Sequence, residues 1–278
     1  MTSTEHGHRH DGPDGQEEIL DLDAEVLAEQ LASIVAWLPL RSAPRRIVDL
    51  GAGTGAGTFA LLDHFPDARV TAVDSSADHL RRVRQKASRA GVDDRVETVQ
   101  ADLDAAWPDL GTADLVWASA SLHHMADPGR TLREIRQLVA PGGLLAVVEL
   151  AGLPRFLPED APANRPGLEA RCHAAADRRA AEHMPHRGAD WGVPLADAGY
   201  TVEARRTVAV DDGRPHSEAV GRYALLVLRR MRDALAGELD ADDLAALDEL
   251  LDTDGPGSIL RRDDLVVRTD RTVWAARP

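Results

Sequence analysis

Cysteine is almost missing from this chain. Cys172 stands alone among 278 residues, so no internal disulfide can staple the fold, and a reducing compartment, the cytoplasm, is the expected setting. Lysine is as scarce: Lys86 is the single example, and arginine carries all other positive charge. Acidic residues outnumber basic ones by 47 to 32, for a formal net charge of −15. That balance disfavours a phosphate backbone as partner, because nucleic-acid binding usually needs a basic stripe. Arg81, Arg82, Arg84, Lys86 and Arg89 share one helix and read as an ordinary solvated face. Long apolar runs are missing too. No window approaches the roughly 18 residues of a membrane span, and the polar, His-rich residues 2–16 do not read as a secretory signal. No nucleic acid and no membrane are therefore expected as partners.

What is present suffices for a full core. The apolar fraction is 44%, ordinary for a globular protein, and the length suits one large α/β domain with insertions or two small ones. The chain is organised around Ile47-Val48-Asp49-Leu50-Gly51-Ala52-Gly53-Thr54-Gly55-Ala56-Gly57. Ile47 to Leu50 read as a buried strand, because aliphatic residues run together with little alternation. Thr58, Phe59, Ala60, Leu61, Leu62 and Phe65 form the apolar side of a helix that stops at Pro66. The glycines mark the turn between them. There the backbone N–H groups are expected to approach a ligand closely, with the positive end of the following helix aimed at the same spot.

Strand and helix then alternate. Val70-Thr71-Ala72-Val73-Asp74 reads as a second strand, with Ser75 as N-cap and Asp78 closing a capping box on the next helix. Residues 96–101 read as a third strand, 113–119 as a fourth and 144–150 as a fifth, with a helix from Pro128 between the last two. Five alternations with short connections call for a doubly wound parallel sheet. In such sheets ligands sit at the carboxyl ends of the strands. The glycine turn, Asp74, Asp102 and His123 all fall there. After Glu149 the pattern loosens into a proline-rich loop and further helices, then strands near 200–210 and 271–276. Three segments result: a tail over 1–17, an N-terminal helix within 18–40 that serves as a lid or as packing, and one domain over 41–278 with helical insertions near 151–198 and 211–262. His6, His8 and His10 in the tail could grip a metal, but a short tract lacks rigid geometry, and a loose polar tail is the preferred reading. Cys172, His173, His183 and His186 fit no tight zinc spacing, so no metal is expected.

A dinucleotide site wants G-x-G-x-x-G with an acid after the second strand. Gly51-Ala52-Gly53-Thr54-Gly55-Ala56 meets the permissive form, so the glycines alone do not decide the cofactor. Asp49 discriminates. A carboxylate two residues before the first glycine would repel a pyrophosphate, and suits an ammonium or sulfonium.

With Val48-Asp49-Leu50-Gly51-Ala52-Gly53-Thr54-Gly55, Val73-Asp74-Ser75-Ser76, Ala101-Asp102-Leu103 and Pro141-Gly142-Gly143-Leu144 in this order, the chain resembles the class I S-adenosylmethionine-dependent methyltransferases. The resemblance covers residues 45–150 and implies an α/β, Rossmann-like, doubly wound and mostly parallel seven-stranded sheet. It implies S-adenosylmethionine as cofactor: Gly51, Ala52, Gly53 and Gly55 around its methionine part, Asp49 on the ammonium, Asp74 on the ribose beside Ser75, Asp102 and Leu103 on the adenine, and Ala118 and Ser119 facing the reactive methyl. Leu122-His123-His124 also resembles members of this superfamily. One of His123 and His124 is a candidate base, since histidine titrates near neutrality, and His183 or His186 a candidate acceptor contact. The expected activity is methyl transfer to a small organic acceptor, with oxygen ahead of nitrogen or carbon, by a monomer or homodimer. The alternatives are a non-catalytic binder of the same cofactor, an NAD-dependent oxidoreductase, and a transfer-RNA methyltransferase.

Overall fold

A computed structural model of the protein describes residues 14–184, 186–212 and 217–278; His6, His8 and His10 lie outside them. In chain order the elements are α1 (Asp14–Val26), α2 (Ala28–Trp37), β1 (Arg46–Leu50), α3 (Ala56–His64), β2 (Arg69–Asp74), α4 (Ala77–Ala90), β3 (Val96–Gln100), β4 (Ala113–Ser119), α5 (Pro128–Leu138), β5 (Val139–Leu150), α6 (Leu168–His183), α7 (Gly192–Asp197), β6 (Thr201–Asp212), α8 (Glu218–Ala234), α9 (Ala241–Leu251) and β7 (Val267–Arg277). The seven strands form one sheet in the order β3-β2-β1-β4-β5-β7-β6. The first five are parallel, and β7 runs antiparallel to both β5 and β6. The expected Rossmann-like, mostly parallel sheet is thus present. Chain order reverses between β1 and β4, which opens a crevice outside their carboxyl ends.

Each face of the sheet carries its own core. Val48, Leu50, Val116 and Val147 pack on one side against α5 and α7 residues such as Leu132 and Leu195. Ile47, Leu115, Trp117 and Ala146 pack on the other against α2 and α3. A third core lies under the late helices and joins Leu22 and Leu27 to Phe156, Leu168, Tyr223, Leu228 and Leu247. The first helical segment differs from the expectation of one helix within residues 18–40. It starts at Asp14 and breaks at Leu27. The halves serve different cores: Leu22 and Leu27 enter the core of the late helices, and Leu31, Ile34 and Val35 the sheet core. The cap of α4 also differs. Ser76, not Ser75, is the N-cap, its Oγ accepting from His79 N–H at 3.3 Å, because Asp74 Oδ1 already accepts the Ser76 N–H at 2.8 Å and sets the turn.

Gly51 adopts φ +68°, and a Cβ built there would lie 2.4 Å from Ser121 Cβ. Ser121 cannot retreat freely, because it is buried and its Oγ donates to Leu50 O at 2.9 Å. Gly51→Ala therefore combines backbone strain with a clash, and a loss of about 2–4 kcal/mol is expected. Gly142→Ala serves as the control: φ is +81° with nothing within 4 Å, so a cost of about 1 kcal/mol is expected. Urea unfolding of both variants checks this, and equal midpoints would contradict it.

Candidate functional site

A cavity of about 580 Å³ opens at the carboxyl ends of β1 to β4. Asp49, Gly51, Ala52, Gly53, Asp74, Ser75, Asp102, Leu103, Ser119 and His124 all line it. Four chain segments far apart in sequence thus converge on one crevice. Gly55 and Ala118 are not in its wall. Gly55 caps α3 with its open side against Phe59, and Ala118 is fully buried in the sheet core, one residue short of Ser119. His183 and His186 also lie elsewhere. His183 Nδ1 is 2.9 Å from the Arg179 carbonyl of its own helix, and the His186 ring packs 6.4 Å from Trp191. Among the described residues no group of three or more His, Cys, Asp or Glu could hold a metal, and no helix is long and apolar enough to cross a membrane.

The glycine turn is built differently from the sequence expectation of N–H groups presented to a ligand. Gly51 and Ala52 N–H both donate to Val73 O, at 2.8 and 2.9 Å. Gly55 N–H donates to Ala52 O at 2.9 Å, and Gly53 N–H to Asp74 Oδ2 at 2.8 Å. These donors are consumed inside the protein, so the turn offers them to no phosphate. Asp74 is the hinge of this arrangement. It ties the turn to the end of β2, accepts from Ser76 N–H and lies 3.2 Å from His79 Nδ1. Burial opposes its charge, but the bonds from His79, Ser76 and Gly53 win and hold the carboxyl below its ordinary value, while His79 is raised in turn.

Asp49 sits behind the turn and is 2% exposed. Thr58 Oγ1 donates to its Oδ2 at 2.6 Å. Burial pushes the carboxyl up to about 7, against the Thr58 bond, and the charge of Asp74 adds to the rise. No cation pairs with it among the described residues. A Cβ on Gly57 would come within 2.5 Å of Trp117 Nε1 and 3.2 Å of Asp49 Oδ2, so only glycine lets α3 sit this close. The indole N–H of Trp117, opposite Asp49 in the β1–β4 register, has no partner. A buried carboxylate that lines a crevice and lacks a counter-ion suits a ligand with a positive charge.

His123 and Glu149 form a buried pair at the ends of β4 and β5. Glu149 is 2% exposed. Its Oε1 accepts from the backbone N–H of Leu122 and His123 at 3.0 and 3.4 Å, and its Oε2 lies 2.6 Å from His123 Nδ1. With Glu149 as acceptor for all three, Nδ1 carries the hydrogen and the ring orientation is fixed. The pair stands just outside the crevice wall. His124 is in the wall, with its ring centroid 4.1 Å from that of His123. Partial burial, then the neighbouring His123, hold His124 below its ordinary value. Ala120 completes this corner with φ 50°, which is strained for a residue with a side chain.

Helix α1 roofs the crevice with Gln16, Ile19, Leu20 and Asp23. Glu17 and Asp21 pair with Arg82, Asp21 pairs with Lys86, and Lys86 Nζ donates to Thr54 O at 2.8 Å. The only lysine thus fastens the roof to the glycine turn. The first helical segment thus divides: α1 lines the crevice, and α2 packs on the sheet.

A methyltransferase-domain model matches residues 47–143. A trans-aconitate 2-methyltransferase of Methylobacterium nodulans is 30% identical over 226 residues, 79% of this chain and 82% of that protein. The chain belongs to the class I S-adenosylmethionine-dependent methyltransferases. A 27-O-demethylrifamycin SV methyltransferase of Amycolatopsis mediterranei is 34% identical over 140 residues, 50% of this chain and 49% of that protein. The chain spans a little under half the length of the first curated relatives it matches. Among solved structures, a methyltransferase of Thiobacillus denitrificans in complex with S-adenosylhomocysteine superposes with a TM-score of 0.56 at 19% identity, over 96% of this chain and 99% of that one; at that identity the likeness speaks for the fold. S-adenosylmethionine is the cofactor of this family.

The raised value of Asp49 has a measurable cost without ligand. Its unfolded value is the ordinary 3.8 and its folded value about 7. The folded state therefore holds a proton that the unfolded state has lost between these values, and stability falls as pH rises through that window. Asp49→Asn keeps an acceptor for Thr58 and removes the charge. The ligand-free variant is expected to match the parent near pH 4 and to exceed it at pH 8 by on the order of 3–5 kcal/mol. Urea unfolding at both values checks this; a variant less stable at pH 8 would contradict it.

Proposed function

We propose that the protein transfers a methyl group from S-adenosylmethionine to a small organic acceptor, at oxygen in preference to nitrogen or carbon. The observation that carries this reading is the ring of Asp49, Asp74 and Asp102 at three adjacent strand ends, with His124 in the same wall. When bound, S-adenosylmethionine supplies a methyl group activated by the positive charge on its sulfur. Asp49 would hold the ammonium, Asp74 the ribose hydroxyls, and Asp102 with the Leu103 backbone the adenine. Ser119 stands at the end of β4, where the acceptor approaches. Ala118, fully buried behind it, contributes packing.

The chain then has to orient the acceptor and take its proton. Orientation alone can supply on the order of 7–11 kcal/mol in favourable reactions. His124 is the candidate base, and its lowered value keeps the ring neutral and able to accept a proton at pH 7. His123, fixed by Glu149, positions His124 by ring contact. The roofed crevice favours a small molecule over a macromolecule. The relatives' names include trans-aconitate and 27-O-demethylrifamycin SV as acceptors. A nicotinamide dinucleotide is disfavoured, because Gly51, Ala52, Gly53 and Gly55 have spent their N–H groups and two carboxylates flank the turn.

Calorimetry with S-adenosylmethionine and S-adenosylhomocysteine tests the reading: both are expected to bind, and binding by neither would reject it. With any acceptor that turns over, His124→Asn is expected to lower kcat by about 10²-fold with little change in the KM for S-adenosylmethionine. An unchanged kcat would remove His124 from the chemistry.

A further inference from the structure

One part of the crevice wall is assembled from three remote parts of the chain. Asp23 comes from α1, Tyr223 from α8 and Arg271 from β7, and all three line the cavity. Tyr223 Oη donates to Asp23 Oδ1 at 2.7 Å, and Arg271 Nη2 donates to Asp23 Oδ2. Tyr223 and Arg271 are 3% and 7% exposed. One buried atom of the group is left over: Arg271 Nε has no partner. A buried guanidinium N–H left unmade is costly, and here it belongs to a side chain in the wall of a cavity. None of the three residues falls in the 47–143 stretch that the methyltransferase-domain model matches, so they stand apart from the acids assigned to the cofactor.

We propose that Arg271, neutralised by Asp23 and braced by Tyr223, is an acceptor-selecting residue of the crevice wall, and that the crevice takes neutral acceptors and discriminates against carboxylates. This rests on the methyl-transfer reading above and adds the acceptor's chemical class. Charge decides the class. Asp23 already neutralises the Arg271 guanidinium. Among the described residues lining the cavity, Arg271 is the only arginine or lysine, against Asp23, Asp49, Asp74, Asp102 and Asp104. An incoming carboxylate would find no free positive charge and would lose its hydration. A neutral acceptor carries no charge that needs such a partner. Leu150, Leu153 and Val227 beside it supply apolar surface for the rest of the acceptor.

The test uses the full chain saturated with S-adenosylhomocysteine and matched pairs of probes: 4-hydroxybenzoate with its methyl ester, and trans-aconitate with its trimethyl ester. Each is titrated to millimolar concentration by calorimetry and thermal shift. The neutral member of at least one pair is expected to bind about 10-fold more tightly than its acid. That preference is expected to vanish in Asp23→Asn, which frees the Arg271 charge for a carboxylate, and to weaken in Tyr223→Phe, the milder change should Asp23→Asn fail to fold. Acids binding as tightly as their esters, or no member of any pair binding, would overturn the proposal. S-adenosylhomocysteine titrated first separates the two failures. Its absence from the crevice would sink the methyl-transfer reading, whereas its presence with an acid preference would sink only the acceptor assignment.

Discussion

A carboxylate sealed behind a backbone turn is expensive unless a cation meets it. Asp49 is in that position: nearly inaccessible, bonded only to Thr58, raised to about 7 by burial and by the charge of Asp74. The surrounding structure is arranged to keep it there. Gly57 lets α3 press against it, Trp117 stands opposite with an unpartnered indole N–H, and Asp74 pins the turn in front of it. Hydrophobic burial of the parallel strands provides the stability that tolerates such a group, since each buried Val, Leu or Ile contributes roughly 1.5–3 kcal/mol. The site is a local violation of good packing that a positively charged ligand would relieve, and the family's cofactor carries such a charge.

The turn explains why the same sheet layout serves different cofactors. In a dinucleotide site, glycine N–H groups and a helix end face a pyrophosphate. Here the glycines serve another purpose: four of their neighbourhood's N–H groups are bound internally, and Gly51 makes room for Ser121. What faces the crevice is therefore acid, not amide. Electrostatics at one turn separates two cofactor classes that glycine spacing leaves mixed.

The convergence of three acids on one crevice was legible in the sequence because its parts are local. Asp49, Asp74 and Asp102 each follow or end an apolar run, and the alternation of strands and helices places such ends together. Partnerships across the fold were not legible. Glu149 ends a strand that reads as plain core, yet it fixes His123 from 26 residues away. His79 looks like a surface residue of α4 and lines the crevice. Asp23 meets Tyr223 across 200 positions and Arg271 across 248, and no periodicity signals such contacts. Ala118 illustrates the converse: its position at a strand end is right, but the pleat turns it into the core and leaves Ser119 at the wall. The break at Leu27 was hidden because both halves of the segment keep helical spacing while serving different cores.

The division matches the chemistry. Residues from β1 to the start of β5 are those the methyltransferase-domain model matches, and α1, the late helices and β7 close over them. The most direct test of the account is the titration of the Asp49 carboxyl followed by carbon NMR, with and without S-adenosylhomocysteine. A midpoint near 7 is expected in the free protein, and a value at or below the ordinary carboxylate range once the ligand's ammonium is in place. A free-protein midpoint near 3.8, the ordinary value, or a midpoint that the ligand leaves unmoved, would contradict it.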